Sequence, residues 1–264
     1  MNILDTIIAQ KRIEVENRKK ESSVTELSHG PFYKSEVYSL KEALLDEAKT
    51  GIIAEYKRKS PSKGIINNNA SVEEVTSAYA ANGASGISVL TDEEFFGGSL
   101  ADLQKAAILN KVPLLRKDFM IDEYQLHEAK AYGASVILLI AANLSVQEVK
   151  NLATAAKNLG LEILLEIHNE QELEHICNEV DLVGVNNRNL KTFEVSLEQS
   201  VSLSSLIPSD KIKISESGIY KIEDIQYLKG YGYKGFLIGE NFMKQEDPGK
   251  AFKIFAEELK AMPI

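Results

Sequence analysis

A carboxylate and an ammonium two positions apart, Glu55 and Lys57, close a short apolar run in the segment GIIAEYKRKSPSKG at residues 51–64. If the run is a β-strand, its period of two puts Ile53, Glu55 and Lys57 on one face and Ile52, Ala54 and Tyr56 on the other. Later apolar runs end in the same way, at Lys117, Glu166, Asn186 and Glu216. Lys117 continues the face of Leu115, Glu166 that of Leu164, and Glu216 that of Ile214, so each polar group extends a row that elsewhere fills a core. Taken singly, each is an ordinary ion-pair former or a solvated strand tail. Two lysines and three glutamates brought to one partly desolvated place would tune one another's proton affinities, which is how general acids and bases are prepared near neutral pH. The set points to proton-transfer chemistry.

Such convergence requires a scaffold, and the chain from residue 51 onward supplies a regular one. Eight apolar, β-rich runs recur, GIIAEYK, GISVLTD, PLLRKDF, SVILLIA, LEILLEIH, LVGVNN, KIKISES and GFLIGE, with helical segments of about 10 to 14 residues between them. Ser71 with Glu74 and Ser145 with Glu148 have the spacing of capping boxes, and Gly83 and Gly160 stand at the matching helix ends. Strands nearly continuous in Val, Ile and Leu imply a parallel sheet covered by helices, and eight such units fit an α/β fold of the closed (β/α)₈ type, a TIM barrel, over residues 51–264. A doubly wound open sheet is the alternative; it has fewer strands and a glycine-rich first turn. In a barrel the reactive groups sit at the carboxyl ends of the strands, where the second strand also offers Thr91 and Asp92 and the fourth only Ile140, Ala141 and Ala142. Residues 1–50 read as an N-terminal helical extension packed on the barrel. Its first helix carries Ile3, Ile7, Ile8 and Ile13 as the apolar face, SHGPFYKS is a loop, and SLKEALLDEAK is a second helix.

Composition narrows the function. A net charge of −9 without a long basic run argues against nucleic acid, and no apolar stretch approaches the roughly 18 residues of a membrane span. MNILDTIIAQKR lacks the pattern of a secretory signal, so a cytoplasmic protein is expected. The single cysteine, Cys177, lies in a helical pattern away from a candidate base and reads as a packing residue. The four histidines have no metal-binding spacing, and His168 beside Glu166 reads either as a lining residue of the mouth or as a structural one. GYGYKG at residues 230–235 satisfies a dinucleotide fingerprint literally, yet a helical run precedes it and a strand follows, so it is a helix stop.

Lys57, Arg58, Lys59 and Lys63 cluster within an otherwise acidic chain, which suits a small anionic ligand, with Arg58 to Gly64 as a flexible basic rim. Gly218 after strand seven and Gly239 after strand eight allow backbone N–H groups to approach an anion, at the customary phosphate position of such barrels.

In order and spacing, IIAEYKRKSPSKG, TDEEFFGGS, LLRKDF, LLEIHN, GVNNRNL, ISESGI and LIGE resemble the indole-3-glycerol phosphate synthase family over nearly the whole chain. That resemblance implies a carboxy-lyase of tryptophan biosynthesis acting on 1-(2-carboxyphenylamino)-1-deoxyribulose 5-phosphate, on a TIM barrel, with no metal or organic cofactor. It further implies Lys117 as the general acid toward the ribulose carbonyl and Glu166 as acid/base partner in the later loss of water. Glu55 and Lys57 would assist, Asn186 and Glu216 with Ser217 would orient the substrate, and Arg188 would meet the anthranilate carboxylate. Phe96 and Phe119 would wall the ring, and Gly218, Gly239, Ser60 and Lys57 would hold the phosphate. Glu240 departs from relatives that carry serine there; an anionic side chain cannot donate to phosphate, so backbone N–H groups must suffice or Glu240 must point away. The implied partner is a small phosphorylated substrate, with a monomer or weak homo-oligomer expected. A Schiff-base aldolase or sugar-phosphate isomerase using Lys57 or Lys117, and a non-catalytic metabolite-binding barrel, remain open on the residues alone.

Overall fold

The eight apolar runs are strands in the computed structural model, which describes residues 3–190 and 192–261. Residues 1–2 and 262–264, at the outer bounds of the expected extension and barrel, lie outside the described residues. The strands are β1 (Ile52–Tyr56), β2 (Gly86–Leu90), β3 (Leu114–Lys117), β4 (Val136–Ile140), β5 (Glu162–Ile167), β6 (Leu182–Asn186), β7 (Ile212–Glu216) and β8 (Gly235–Ile238). All pair in parallel, and β1 joins β8 to close the barrel. Both faces of each strand are buried, which is why the runs are continuously apolar rather than alternating. Ile53, Leu115, Leu138, Leu164, Ile214 and Leu237 fill the interior, while Ile52, Ala54, Val89, Leu139 and Leu165 pack beneath the helices.

Among the described residues three helices precede the barrel, α1 (Ile3–Glu21), α2 (Val24–Leu27) and α3 (Leu40–Leu45). The surrounding layer is α4 (Val72–Ala81), α5 (Leu100–Leu109), α6 (Tyr124–Ala131), α7 (Val146–Asn158), α8 (Glu198–Leu203), α9 (Ile222–Lys229), α10 (Glu240–Met243) and α11 (Pro248–Ala261). Ser145 and Glu148 form the expected reciprocal capping box on α7. On α4 Ser71 caps the Glu74 N–H, but its hydroxyl turns to Glu73 and the box does not close. Gly83 and Gly160 follow their helices in the left-handed conformation, at φ +92° and +72°. GYGYKG is the helix stop its context implied, with Gly230 capping α9 and β8 beginning at Gly235.

Two expectations change. The connection from β5 to β6 holds no long helix, only a 3₁₀ turn at Glu170–His175, and Cys177 lies beyond it, half-buried. Glu172 folds back there to accept the His168 backbone N–H at 2.7 Å and the Asn169 amide at 2.8 Å, which closes the segment into a tight capped turn. The face of α1 also differs, because Ile7, Lys11 and Val15 are buried while Ile8 is only half-buried and Ile13 is 57% exposed. Those three follow i, i+4, i+8, and the central one is a lysine that apolar periodicity passes over.

The helices before the barrel reach both of its ends. Leu40 and Leu44 of α3 join the interior cluster from the amino-terminal side, where a Cβ on Gly86 would meet Leu40 at 2.7 Å. Glu162, at the start of β5, accepts the Leu40 and Lys41 N–H groups at the start of α3. The amino end of α1 lies at the opposite, carboxyl-end mouth. Truncating the interior at Leu164→Ala should cost about 2–5 kcal/mol of stability. Ile13→Ala should change it by less than about 0.5 kcal/mol; urea unfolding of both variants checks which residues form the core.

Candidate active site

Parallel register brings the strand-end groups to one level, since Glu166 pairs with Ile140 on one side and Gly184 on the other, and Asn186 with Glu216. Lys117 Nζ stands 3.2 Å from Glu166 Oε2 and 3.8 Å from Glu216 Oε2. Asn186 donates to the other Glu166 oxygen at 3.0 Å, and Lys57 donates to Glu55 at 2.6 Å. The three glutamates are buried, whereas the Lys117 side chain keeps 17% of its surface open to the cavity. Gly184 makes this packing possible, because a Cβ there would lie 2.2 Å from Glu216 Oε1.

These groups are held in unequal protonation states. Burial opposes charge on Lys117, but the Glu166, Glu216 and Glu55 carboxylates outweigh it and hold the ammonium above the ordinary lysine range. Burial would likewise raise Glu166; Lys117, His168 and Asn186 reverse that and keep it well below the usual carboxylate range. Glu216 goes the other way. Burial, then the Glu166 and Glu55 charges, push it up to about 8 against the pull of Lys117, and its Oε1 has no hydrogen-bond partner among the described residues. His168 backs Glu166, with Nε2 3.1 Å from Oε1 though not aligned as a hydrogen bond, and with Nδ1 3.2 Å from Glu172. Burial would lower its proton affinity, but the two carboxylates raise it to about 10. Of the two readings of His168, the structure selects the supporting one; it lies behind Glu166 rather than along the cavity.

Every residue singled out as catalytic or substrate-binding lines one cavity: Glu55, Lys57, Lys117, Glu166, Asn186 and Glu216 at its floor, and Ser60, Phe96, Phe119, Arg188, Ser217, Gly218 and Gly239 around it. Phe96 and Phe119 face each other at 6.0 Å between ring centroids. Ser217 and Gly218 both have positive φ, at +67° and +78°, and line the cavity just past the end of β7. Asn187 holds the Ser217 carbonyl at 3.0 Å. Gly239 has an ordinary φ of −125°, and its need for glycine is space, since a Cβ would sit 2.5 Å from Glu55 Oε1.

Other expected contributors turn elsewhere. Arg58 pairs with Asp102 and the Gly97 carbonyl, and Lys59 with the Glu94 carbonyl, so the basic rim narrows to Lys63 above a two-residue hairpin of Lys59–Ser60 with Gly64–Ile65. Thr91 bonds Asp118, and Asp92 pairs with Lys11. Glu240 remains at the mouth, 3.6 Å from both Lys63 and Arg188, as an anion between two cations. Ile3, Leu4 and Ile7 of α1 complete the apolar lining, with Leu190, Phe193 and Tyr220 from the loops. Nothing local in the sequence marks these residues, because their role depends on where α1 and the loops dock.

The chain matches the family model described as indole-3-glycerol phosphate synthase over residues 4–255. It is similar to the indole-3-glycerol phosphate synthase of Bacteroides thetaiotaomicron, 48% identical over 98% of this chain and 99% of the relative. It is also similar to that of Polynucleobacter necessarius, 41% identical over 95% and 97%. Among solved structures, the tryptophan synthase complex of Pyrococcus furiosus superposes with a TM-score of 0.62 at 16% identity, over 81% of this chain and 99% of the other, which is a likeness of fold alone.

Because the folded Glu216 keeps its proton to about pH 8 while an unfolded glutamate loses it near 4.5, the folded state binds more protons between those values and stability falls as pH rises. Glu216→Gln removes that penalty, so its stability relative to the unchanged protein should grow across that window in pH-dependent urea unfolding. In Gly184→Ala the displaced Glu216 should lower activity by at least about tenfold in a fluorescence assay of indole formation.

Proposed function

Because the chain belongs to the indole-3-glycerol phosphate synthase family, we propose that its barrel mouth closes the indole ring with the groups just described. The protein is a carboxy-lyase of tryptophan biosynthesis that converts 1-(2-carboxyphenylamino)-1-deoxyribulose 5-phosphate into indole-3-glycerol phosphate, carbon dioxide and water. The observation that carries the assignment of roles is the Lys117 ammonium, paired with Glu166 at 3.2 Å, 3.8 Å from Glu216, and open to the cavity.

As the anthranilate ring carbon attacks the ribulose carbonyl, negative charge develops on the oxygen, and Lys117 donates its proton there. Loss of the ring carboxylate as carbon dioxide then restores aromaticity in the benzene ring. The remaining hydroxyl leaves as water, which needs a proton donor on that oxygen and an acceptor for the hydrogen on the neighbouring carbon. Glu216, a neutral carboxyl at pH 7, suits the donor; Glu166, kept anionic, suits the acceptor. This division refines the single acid/base role implied for Glu166 by resemblance. Lys57 and Glu55, paired at 2.6 Å, stand ready to carry charge and protons beside them.

Phosphate recognition falls to the backbone N–H groups at Ser217 and Gly218, with Gly239, Ser60 and Lys57 around them, and the Phe96 and Phe119 rings flank the aromatic end of the substrate. Arg188 is the cation for the anthranilate carboxylate. Residues 1–50 act as an extension that completes the mouth and closes the opposite end, with residues 51–264 as the barrel. A phosphorylated substrate does not cross a membrane unaided, which supports a cytoplasmic location; among the described residues no helix is long and apolar enough to span one. Lys117→Met should fold normally and lose activity by about 100- to 10,000-fold. Near-normal turnover in the indole fluorescence assay would refute the role given to Lys117.

A further inference from the structure

A second group of buried charges lies beneath the mouth without lining it. Lys11, on α1, is 1% exposed and reaches Asp92 Oδ2 at 2.9 Å, Asp118 Oδ1 at 2.9 Å and Glu14 at 2.8 Å. Asp92 and Asp118 stand just past the ends of β2 and β3, and each holds the backbone of an aromatic residue. Asp92 Oδ1 accepts the Phe95 N–H at 2.7 Å and the Phe96 N–H at 3.3 Å, and Asp118 Oδ1 accepts the Phe119 N–H at 2.8 Å. Asp118 has other partners in Arg116 at 3.1 Å and Thr91 at 2.6 Å, whereas among the described residues the cation at Asp92 is Lys11.

We propose that Lys11 is a positioning residue for the reaction, tying together the two carboxylates that orient Phe96 and Phe119 and so setting the aromatic wall from outside the barrel. The proposal rests on the reading of that wall as the binding surface for the substrate ring. A lysine is suited to the task because its ammonium has three donors and meets three carboxylates, while its stem is buried along α1. Removing it leaves Asp92 charged and buried without that cation, and the loop carrying Phe96 loses its anchor.

Steady-state kinetics on the full chain test this. In Lys11→Met, KM should rise about tenfold while kcat changes less than about threefold, because the wall touches the ring before and during reaction alike. A role confined to stability would lower kcat through lost active enzyme and leave KM unchanged. Asp92→Ala, which leaves Lys11 paired with Asp118 and Glu14, should raise KM in the same direction and carries the test if Lys11→Met does not fold. In a Phe96→Leu background the KM effect of Lys11→Met should shrink below about threefold, since losing Lys11 acts mainly through Asp92 and Phe96, while Asp118 keeps Arg116 and Thr91. Hydrogen exchange gives a readout independent of turnover: protection of the Phe95, Phe96 and Phe119 amides should fall at least about tenfold, with that of β5 unchanged. Unchanged KM in a folded Lys11→Met or Asp92→Ala, a full effect in the Phe96→Leu background, or unchanged amide protection would each overturn the proposal. If the unsubstituted protein failed to turn over the substrate, the reading of the site would fall, and the exchange measurement would still decide whether Lys11 orders these loops.

Discussion

The site depends on one constraint: an ammonium must stay charged in a place where burial works against charge. Lys117 meets it chiefly because the Glu166 carboxylate stands 3.2 Å away, with the Glu55 charge beyond it. Three carboxylates near one ammonium are too many to remain ionised together at neutral pH, and the surplus is resolved at Glu216, which retains its proton. A charged donor, an anionic acceptor and a neutral acid therefore follow from the same crowding. Closure of the sheet supplies the crowding, because only a closed barrel brings the ends of β1, β3, β5 and β7 to face one another.

The segment LLRKDF shows how alternation serves two networks at once. Lys117 points inward to the glutamates, while Arg116 and Asp118 point outward, where Arg116 pairs with Glu128 at 3.1 Å and Asp118 with Lys11. Three consecutive charged residues would be unfavourable on one face. Divided by the pleat, they become a reactive group inside and a fixed anchor outside, and the anchor reaches α1. The helices before the barrel are thus tied to both ends of it, by ion pairs at the mouth and by Leu40 and Leu44 at the base.

What could be read from the sequence was whatever has a period. Strand parity placed Leu115 with Lys117, Leu164 with Glu166 and Ile214 with Glu216 correctly, since a barrel strand has only an inside and an outside. Where a side chain has a choice of partners, parity is silent. Arg58 sits in a basic cluster that suggests an anion site, yet Asp102 lies within reach and takes it. Asp92 stands at a strand end but serves Lys11 and two backbone N–H groups instead of the cavity. The buried face of α1 was obscured for a related reason: Lys11 is buried because distant carboxylates receive it, and hydropathy has no means of scoring that. Gly184 was equally hidden, for its importance lies in the Glu216 side chain of the next strand.

Glu240 illustrates how a local conflict is settled by its surroundings. At a mouth that must receive a phosphate dianion, a carboxylate is the wrong charge, and its removal from the cavity would be the simplest remedy. It stays, 3.6 Å from Lys63 and 3.6 Å from Arg188, so its charge is already opposed by two cations on separate loops. Those distances are longer than a direct hydrogen bond, and Arg188 also donates to the Phe193 carbonyl at 3.4 Å. The backbone N–H groups at Ser217 and Gly218, proposed for the phosphate, carry no net charge and need no counterion when empty. Anion recognition by backbone together with a carboxylate that keeps the nearby cations paired gives a mouth without a large unbalanced positive charge, in keeping with an acidic chain whose basic groups are concentrated where a phosphorylated ligand enters.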